Sequence, residues 1–423
     1  LFLEKLVQET EKEHEDILEQ ADETDAVFGE LYSWYLRNPE YKSRVQKLVQ
    51  SAFAGKPKDI ISQSVAKALY GEVSPYSATR LERFAACAFA HFLQYGMKLT
   101  ERVEYEFKPM DMGNVMHEAL ESFAEEVRKR GMKWTELTEQ ERNEIADRCL
   151  DNIVADYGNT VLKSSARNEY MIERTRRILR RTVWALQKQL EQGEFQPEGF
   201  EVTFGGGRID RVDIMEDQNK VYVKVIDYKT GNTSFDLVYL YHGLQLQLMI
   251  YLDGALRVEQ KKYPDKEIIP AGVFYYNIKD PMIQEKIDAD VEAVSAGLMK
   301  ELKMNGLAQA DPELVYRMDS SLGSIPVAFN KDGSFRKNSS VADRTQFAVL
   351  GRYVRTKIEK IRSSILEGDA EVSHYELGKK NACTYCPYMT VCGFDRRLSG
   401  YEFRRLKNFS DEELWKAFDR EAE

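Results

Sequence analysis

"FEVTFGGGRIDRVDIM" (200–215) and "KVYVKVIDYKTG" (220–231) meet at the turn-like "EDQNK" (216–220). Two runs rich in β-branched and aromatic residues around a polar cluster predict a β-hairpin. Alternate strand residues project to opposite faces, so Asp227 and Lys229 share a side. Tyr228 then points away, with its backbone carbonyl still able to face that side. Asp210 and Asp213 are three apart and cannot both face it. Paired across the hairpin, Asp210 and Asp227 are placed to hold one divalent cation with Lys229 alongside. Strands disfavour Asp, so two of them amid Val and Ile call for a reason.

The chemistry such a set suits is phosphodiester hydrolysis. Mg²⁺ takes carboxylate and carbonyl oxygens, orients a water and lowers its pKa, while a lysine ammonium offsets charge on the phosphoryl oxygens. An isolated D-x-K reads more readily as an exposed hairpin with surface ion pairs. Its surroundings argue otherwise. "HGLQLQLMIYLDGALRV" (242–258) has helical period and sets Gly243, Gln247 and Tyr251 along one face. A Gln and a Tyr there suit phosphate or base contacts, or else form the polar edge of a covering helix. His117, in "GNVMHEALESF" on an amphipathic pattern, is of a kind more often structural, yet imidazole can complete a Mg²⁺ or Mn²⁺ site.

Outward from this core, 423 residues predict two or three domains. A net charge of −10 excludes a protein that coats nucleic acid by global attraction, but leaves room for a nuclease with local basic contacts. One such patch is "RTRRILRRTVWALQK" (174–188), where Arg174, Arg177 and Arg181 share one helix face and Arg176 and Arg180 another. The plain alternative is a solvated helix balanced by acids elsewhere. Residues 1–70 are acidic and helix-rich, and the opening Leu1 is expected to continue a longer protein. "GEVSPYSATRLERF" (71–84) punctuates the chain before a helix bearing Cys87, and helical patterns dominate 112–192. "PAGVFYYNIKD" (270–280) is a strand whose Tyr275 and Tyr276 read as core in preference to base-stacking residues. Residues 281–370 read as mostly charged helix with a polar loop at 330–340. There is no internal repeat and no G-x-x-x-x-G-K-[ST], so any ATP motor is expected outside this chain or in a partner. With no apolar run of membrane-spanning length and no signal peptide, the expected setting is the cytoplasm.

"NACTYCPYMTVC" (381–392) holds Cys383, Cys386 and Cys392, three of five cysteines. That is one thiol short of a four-ligand site. Zinc, with His374 nearby, and an iron–sulfur cluster both fit the spacing. Cys149 sits in a helical pattern and reads as an ordinary half-buried cysteine.

Taken together, "GRIDRVD", "VIDYKTG" and "GLQLQLMIY" resemble the RecB-type nuclease motifs of the PD-(D/E)XK superfamily. "GNVMHEALE" resembles the helix carrying that family's metal-binding histidine. "SPYSATRLERFAACAFAHFLQYGMKL" with the C-terminal cysteines resembles its iron–sulfur-bearing members, those of AddAB-type helicase–nucleases. The resemblance covers roughly 74–400. It implies an α/β, restriction-endonuclease-like fold with a mixed β-sheet core and extensive flanking helices. Residues 1–73 would be a helical lead-in from an upstream helicase-like region. Residues 74–423 would be the nuclease domain, with a core at about 105–290 and a closing cysteine segment at 371–400.

Carried over by position, the resemblance assigns His117, Asp210, Asp227 and the Tyr228 carbonyl to Mg²⁺ or Mn²⁺. Lys229 becomes the catalytic lysine, and Gln247 and Tyr251 support substrate binding; Asp213 matches a family motif position, but the face argument sets it behind the metal. Cys87 is nominated as the fourth ligand, making a [4Fe–4S] cluster the expectation and Zn²⁺ the competitor. The Cys-Pro common in the family is Cys87-Ala88 here. The implied activity is exonucleolytic trimming of single-stranded DNA, on the 5′-ended strand, during double-strand break repair. The implied partner is an AddA-like helicase–nuclease subunit. The rivals are a stand-alone or CRISPR-associated exonuclease and a catalytically silent scaffold.

Overall fold

Alternation along residues 220–229 separates two layers of the molecule. Val221, Val223 and Val225 join one apolar core, while Ile226 and Tyr228 join a second on the other face. The computed structural model describes residues 23–52, 60–71, 76–100, 109–156, 165–205, 207–283, 290–397 and 400–422. The chain divides into two units, Leu1–Asp59 with Gly393–Phe403, and Ile60–Cys392 with Arg404–Glu423. In the first, α1 (Glu23–Arg37) and α2 (Pro39–Ala52) pack together, with Trp34, Tyr35 and Tyr41 in mutual ring contact.

The second unit begins with α3 (Gln63–Tyr70), α4 (Ala78–Ala86) and α5 (Ala88–His91). Next come α6 (Pro109–Lys129), α7 (Glu139–Asp156) and α8 (Ala166–Glu191). The strands β1 (Gln196–Phe204), β2 (Gly207–Asp217) and β3 (Lys220–Lys229) follow. Helices α9 (Leu237–Tyr241) and α10 (Gln247–Lys262) lead to β4 (Glu267–Asn277). After these come α11 (Val291–Glu301), β5 (Asn305–Gln309), α12 (Pro312–Met318), β6 (Val341–Ala342) and α13 (Arg344–Glu367). The chain closes through β7 (Tyr375–Leu377), β8 (Lys380–Asn381), α14 (Met389–Cys392), β9 (Arg404–Arg405) and α15 (Asp411–Ala422).

Strands β1 to β6 form one mixed sheet in sequence order. β1–β2 and β2–β3 are antiparallel, whereas β3 and β4 are parallel. A parallel pair needs a crossover, and α9 with α10 supplies it. α6, α7 and α8 contribute to the core on one face. α4, α10, α13 and α15 contribute to that on the other, together with Ala66 and Tyr70 of α3.

The predicted hairpin is present, and both Tyr275 and Tyr276 are buried in the core. Three expectations are corrected. Residues 242–258 are not one helix, because Gly243 adopts φ +78° in a turn between α9 and α10. A Cβ there would also lie 3.2 Å from that of Ala85. Gly243 therefore does not share the face of Gln247 and Tyr251. The described residues of 281–370 hold two strands as well as helices. β5, "NGLAQ", lacks the β-branched residues that announce a strand, and Gly306 lets it approach β4 closely. Cys149 is fully buried and not half-buried.

Asp213 lies on the face opposite Asp210, inside a buried ion triad. Its Oδ1 and Oδ2 accept from Arg211 at 2.5 and 2.9 Å, and Lys224 Nζ lies 2.9 Å from Oδ2. Burial works against the charge, but Arg211 and Lys224 outweigh it and hold the carboxyl below its usual range. Asp213→Ala would strand two buried cations. We expect it to cost about 3–5 kcal/mol in urea denaturation, far more than a surface carboxylate.

Candidate active site

Three neighbouring strands place three carboxylates in a row. The β2–β3 register sets Arg211 opposite Ile226, so one further step aligns Asp210 with Asp227. The β1–β2 register sets Phe200 opposite Arg211 and Val202 opposite Ile209, which brings Glu201 level with Asp210. Glu201 has φ +49° and follows an irregularity between Pro197 and Gly199. Tyr228 N–H donates to Asp210 Oδ2 at 2.7 Å, while the Tyr228 ring is buried in the opposite layer. His117, about two turns into α6, faces the row. Its Nδ1 stands 3.4 Å from Asp210 Oδ2 and 3.6 Å from Glu201 Oε1.

Lys229 pairs with the Asp227 carboxylate and donates to Gln247 Oε1 at 2.8 Å. Gln247 Nε2 in turn donates to the Tyr251 hydroxyl at 2.8 Å. Gln247 and Tyr251, four apart on α10, reach the site from one face. Arg208 pairs with Glu201 from the exposed side. On the inner side, Glu82 of α4 accepts from the Leu246 and Gln247 backbone N–H groups at 2.7 and 2.9 Å.

The electrostatics are those of a site short of positive charge. Burial and then the neighbouring Asp227 push Asp210 up to about 7, with His117 and the Tyr228 N–H pulling the other way. Burial also raises Asp227, against the opposing pull of Lys229. For His117, burial disfavours the charged ring, but Glu201 and Asp210 outweigh it and raise its pKa. Among the described residues, three potential ligand atoms lie within 4.8 Å of one another only at His117, Glu201 and Asp210. One imidazole and several carboxylate oxygens fit a hard divalent cation such as Mg²⁺ or Mn²⁺.

His117, Asp210, Asp227, Lys229, Gln247 and Tyr251 thus come together as the sequence led us to expect. Glu201 and Glu82 were not foreseen. The arginines stand elsewhere, around a cleft of about 550 Å³ lined also by Tyr170 and Trp184. Arg177 bonds Asp280, and Arg176 and Arg180 are neutralised by Asp147, Asp151 and Glu173. Arg174 and Arg181 have no acidic partner among the described residues, and Arg181 lies 5.5 Å over the Trp184 ring.

The thiols also converge. Cys87, between α4 and α5, is buried, and that burial raises its thiol pKa against the pull of the nearby backbone N–H groups of Ala90, Phe89 and Ser373. Burial, then Cys386, Cys87 and Cys392, push the Cys383 thiol up to about 12. Tyr388 anchors the segment by donating to the Leu99 carbonyl at 2.9 Å. Thiols gathered in this way fit a sulfur-held metal centre, zinc or iron–sulfur alike.

Comparison with known proteins agrees with this geometry. The model of the PD-(D/E)XK nuclease superfamily matches residues 75–393. Proteins named as one subunit of an ATP-dependent helicase/deoxyribonuclease are similar along nearly the whole chain. That of Lachnoclostridium phytofermentans is 41% identical over 94% of this chain and 36% of its own length. Those of Thermoanaerobacter sp. X514 and Clostridium novyi are 33% and 34% identical over 95% and 94% of this chain, and 37% of their own. The chain therefore spans about a third of the length of these relatives. No helix among the described residues is long and apolar enough to cross a membrane.

The raised carboxylate fixes the sign of a pH effect. Folded Asp210 keeps its proton up to about 7, while the unfolded chain loses it near pH 4. Folding therefore takes up a proton in that window and stability falls as pH rises through it. In EDTA, urea denaturation should show the protein losing stability from pH 5 to 8, with a shallower loss in Asp210→Asn.

Proposed function

The chain belongs to the PD-(D/E)XK nuclease superfamily, and from that premise we propose a metal-dependent deoxyribonuclease domain. In this reading it trims single strands leaving an unwound duplex end. The observation that carries the proposal is the row of Glu201, Asp210 and Asp227 across three strands, faced by His117 and flanked by Lys229. His117, Glu201, Asp210 and Asp227 would hold Mg²⁺ or Mn²⁺, joined by the Tyr228 carbonyl. When bound, the ion supplies Lewis acidity and lowers the pKa of water. Lys229 brings a fixed positive charge to where the phosphoryl oxygens gain negative charge. Gln247 gives its ammonium a second, fixed partner beside Asp227, and Tyr251 fixes Gln247 in turn.

DNA as substrate is supported by the relatives' name, deoxyribonuclease, and a helicase context by the same name. We infer exonucleolytic cutting of the 5′-ended strand in double-strand break repair in the cytoplasm. An AddA-like partner would supply the ATP-driven unwinding for which this chain has no phosphate loop. Arg174, Arg177 and Arg181, beside Tyr170 and Trp184, would track the DNA backbone. Cys87, Cys383, Cys386 and Cys392 would hold a [4Fe–4S] cluster in preference to Zn²⁺, clasping the C-terminal segment to α4 and α5.

With labelled single-stranded DNA and Mg²⁺, Lys229→Ala should lose ~10²–10³-fold in kcat and Asp227→Ala at least as much. Cleavage by Asp227→Ala equal to wild type would remove the assignment. In the same assay, replacing the three arginines by Ala should raise KM and flatten its salt dependence by about one phosphate contact each; an unchanged salt slope would remove them from the DNA path. Anaerobically purified protein should contain iron and sulfide, both lost in Cys87→Ala. A stoichiometric zinc would instead identify the competitor.

A further inference from the structure

Helix α10 begins without a cap of its own. Leu246 precedes it and has no polar side chain to accept from the first amides. Open N–H groups at a helix start need an acceptor, and a negative charge there also suits the helix dipole. Glu82 provides both from α4, more than 160 positions earlier in the chain, through its bonds to Leu246 and Gln247. Its placement is firm because α4 is anchored along its length. Leu81, Phe84 and Ala85 are buried against the same core as α10.

The second capped residue is Gln247, whose side chain receives the Lys229 ammonium and donates to Tyr251. One carboxylate thus fixes the backbone from which the partner of Lys229 extends. Glu82 also feels Lys229 and Asp227 electrostatically, while burial raises its pKa to about 7. With Glu82 truncated, two amides lose their acceptor and the first turn of α10 is free to fray. Gln247 then withdraws, and Lys229 loses one of the two contacts that orient its ammonium, keeping only Asp227.

We propose that Glu82 is a positioning residue for Lys229, acting through the first turn of α10 and Gln247. This rests on the reading of Lys229 as the catalytic lysine. A cap with a purely structural role would be worth ~1 kcal/mol of stability and leave kcat alone. A positioning role shows in kcat at constant KM.

The experiment measures kcat and KM on single-stranded DNA with Mg²⁺ for wild type, Glu82→Ala, Glu82→Gln, Gln247→Ala, Lys229→Ala and the Glu82→Ala/Gln247→Ala double variant. Amide hydrogen exchange at Leu246 and Gln247 is followed in parallel. We expect Glu82→Ala to lose ~10–100-fold in kcat with KM within about twofold. The double variant should be no worse than the poorer single variant, because both act on one contact. Glu82→Gln keeps an oxygen able to accept both N–H groups and should remain within about fivefold of wild type. Exchange at the two amides should accelerate in Glu82→Ala and not in Glu82→Gln.

Wild-type kcat in Glu82→Ala, or multiplicative losses in the double variant, overturns the proposal. Unchanged exchange at the two amides does so independently of any cleavage assay. If Glu82→Ala fails to fold, Glu82→Asp keeps the charge but falls a methylene short, and full kcat there is equally fatal. Should Lys229→Ala cleave as well as wild type, the catalytic reading fails instead. That result is distinct from an inactive Lys229→Ala beside a fully active Glu82→Ala.

Discussion

Burying carboxylates side by side at the end of a β-ladder is electrostatically unfavourable, and the surroundings of Asp210 and Asp227 are organised by that penalty. Neither carboxylate can move away, because Asp210 is held by the Tyr228 N–H and Asp227 by the strand that carries it. Compensation must therefore come to them. Lys229 comes along the same strand, and His117 comes from a helix of the opposite layer. What remains uncompensated appears as raised pKa values at both aspartates. A divalent cation is the species that relieves this most completely, and it is also the species the chemistry needs.

The same sheet shows how a charged cluster is tolerated where no chemistry is required. On the reverse face, Asp213 is as deeply buried as Asp227, yet its carboxyl is held low by two cations. The contrast separates a structural carboxylate from a functional one more clearly than burial does. Arg211 and Lys224 saturate Asp213, whereas Asp210 and Asp227 share one lysine and one imidazole.

Much of this was legible in the sequence because it depends on local periodicity. Strand alternation alone put Asp227 and Lys229 on one side, and a four-residue spacing put Gln247 with Tyr251. Glu201 escaped because it looks like any polar residue of an outer strand. Only its positive φ beyond the irregular pairing at Gly199 turns it to the metal side, and no spacing rule encodes that. Glu82 escaped for a different reason. Its partners are backbone amides far along the chain, and main-chain acceptors leave no trace in residue types. Gly243 misled because a helical period continued across a turn, and β5 hid behind a Gly- and Ala-containing sequence. The cysteine spacing showed three candidate thiols. The fourth came by resemblance, and the fold then brought it alongside.

That last convergence has a consequence for how the protein is made. Cys87 leaves the ribosome about three hundred residues before Cys383. At ~5–20 residues per second, this is a delay of roughly 15–60 s. Throughout it, Cys87 lacks its thiol neighbours and, until α10 emerges, Glu82 on the adjoining α4 lacks the amides it caps. The four thiols can therefore come together only late in synthesis, and a chain cut short before Cys383 would lack the contacts that its C-terminal segment makes with the Cys87 region.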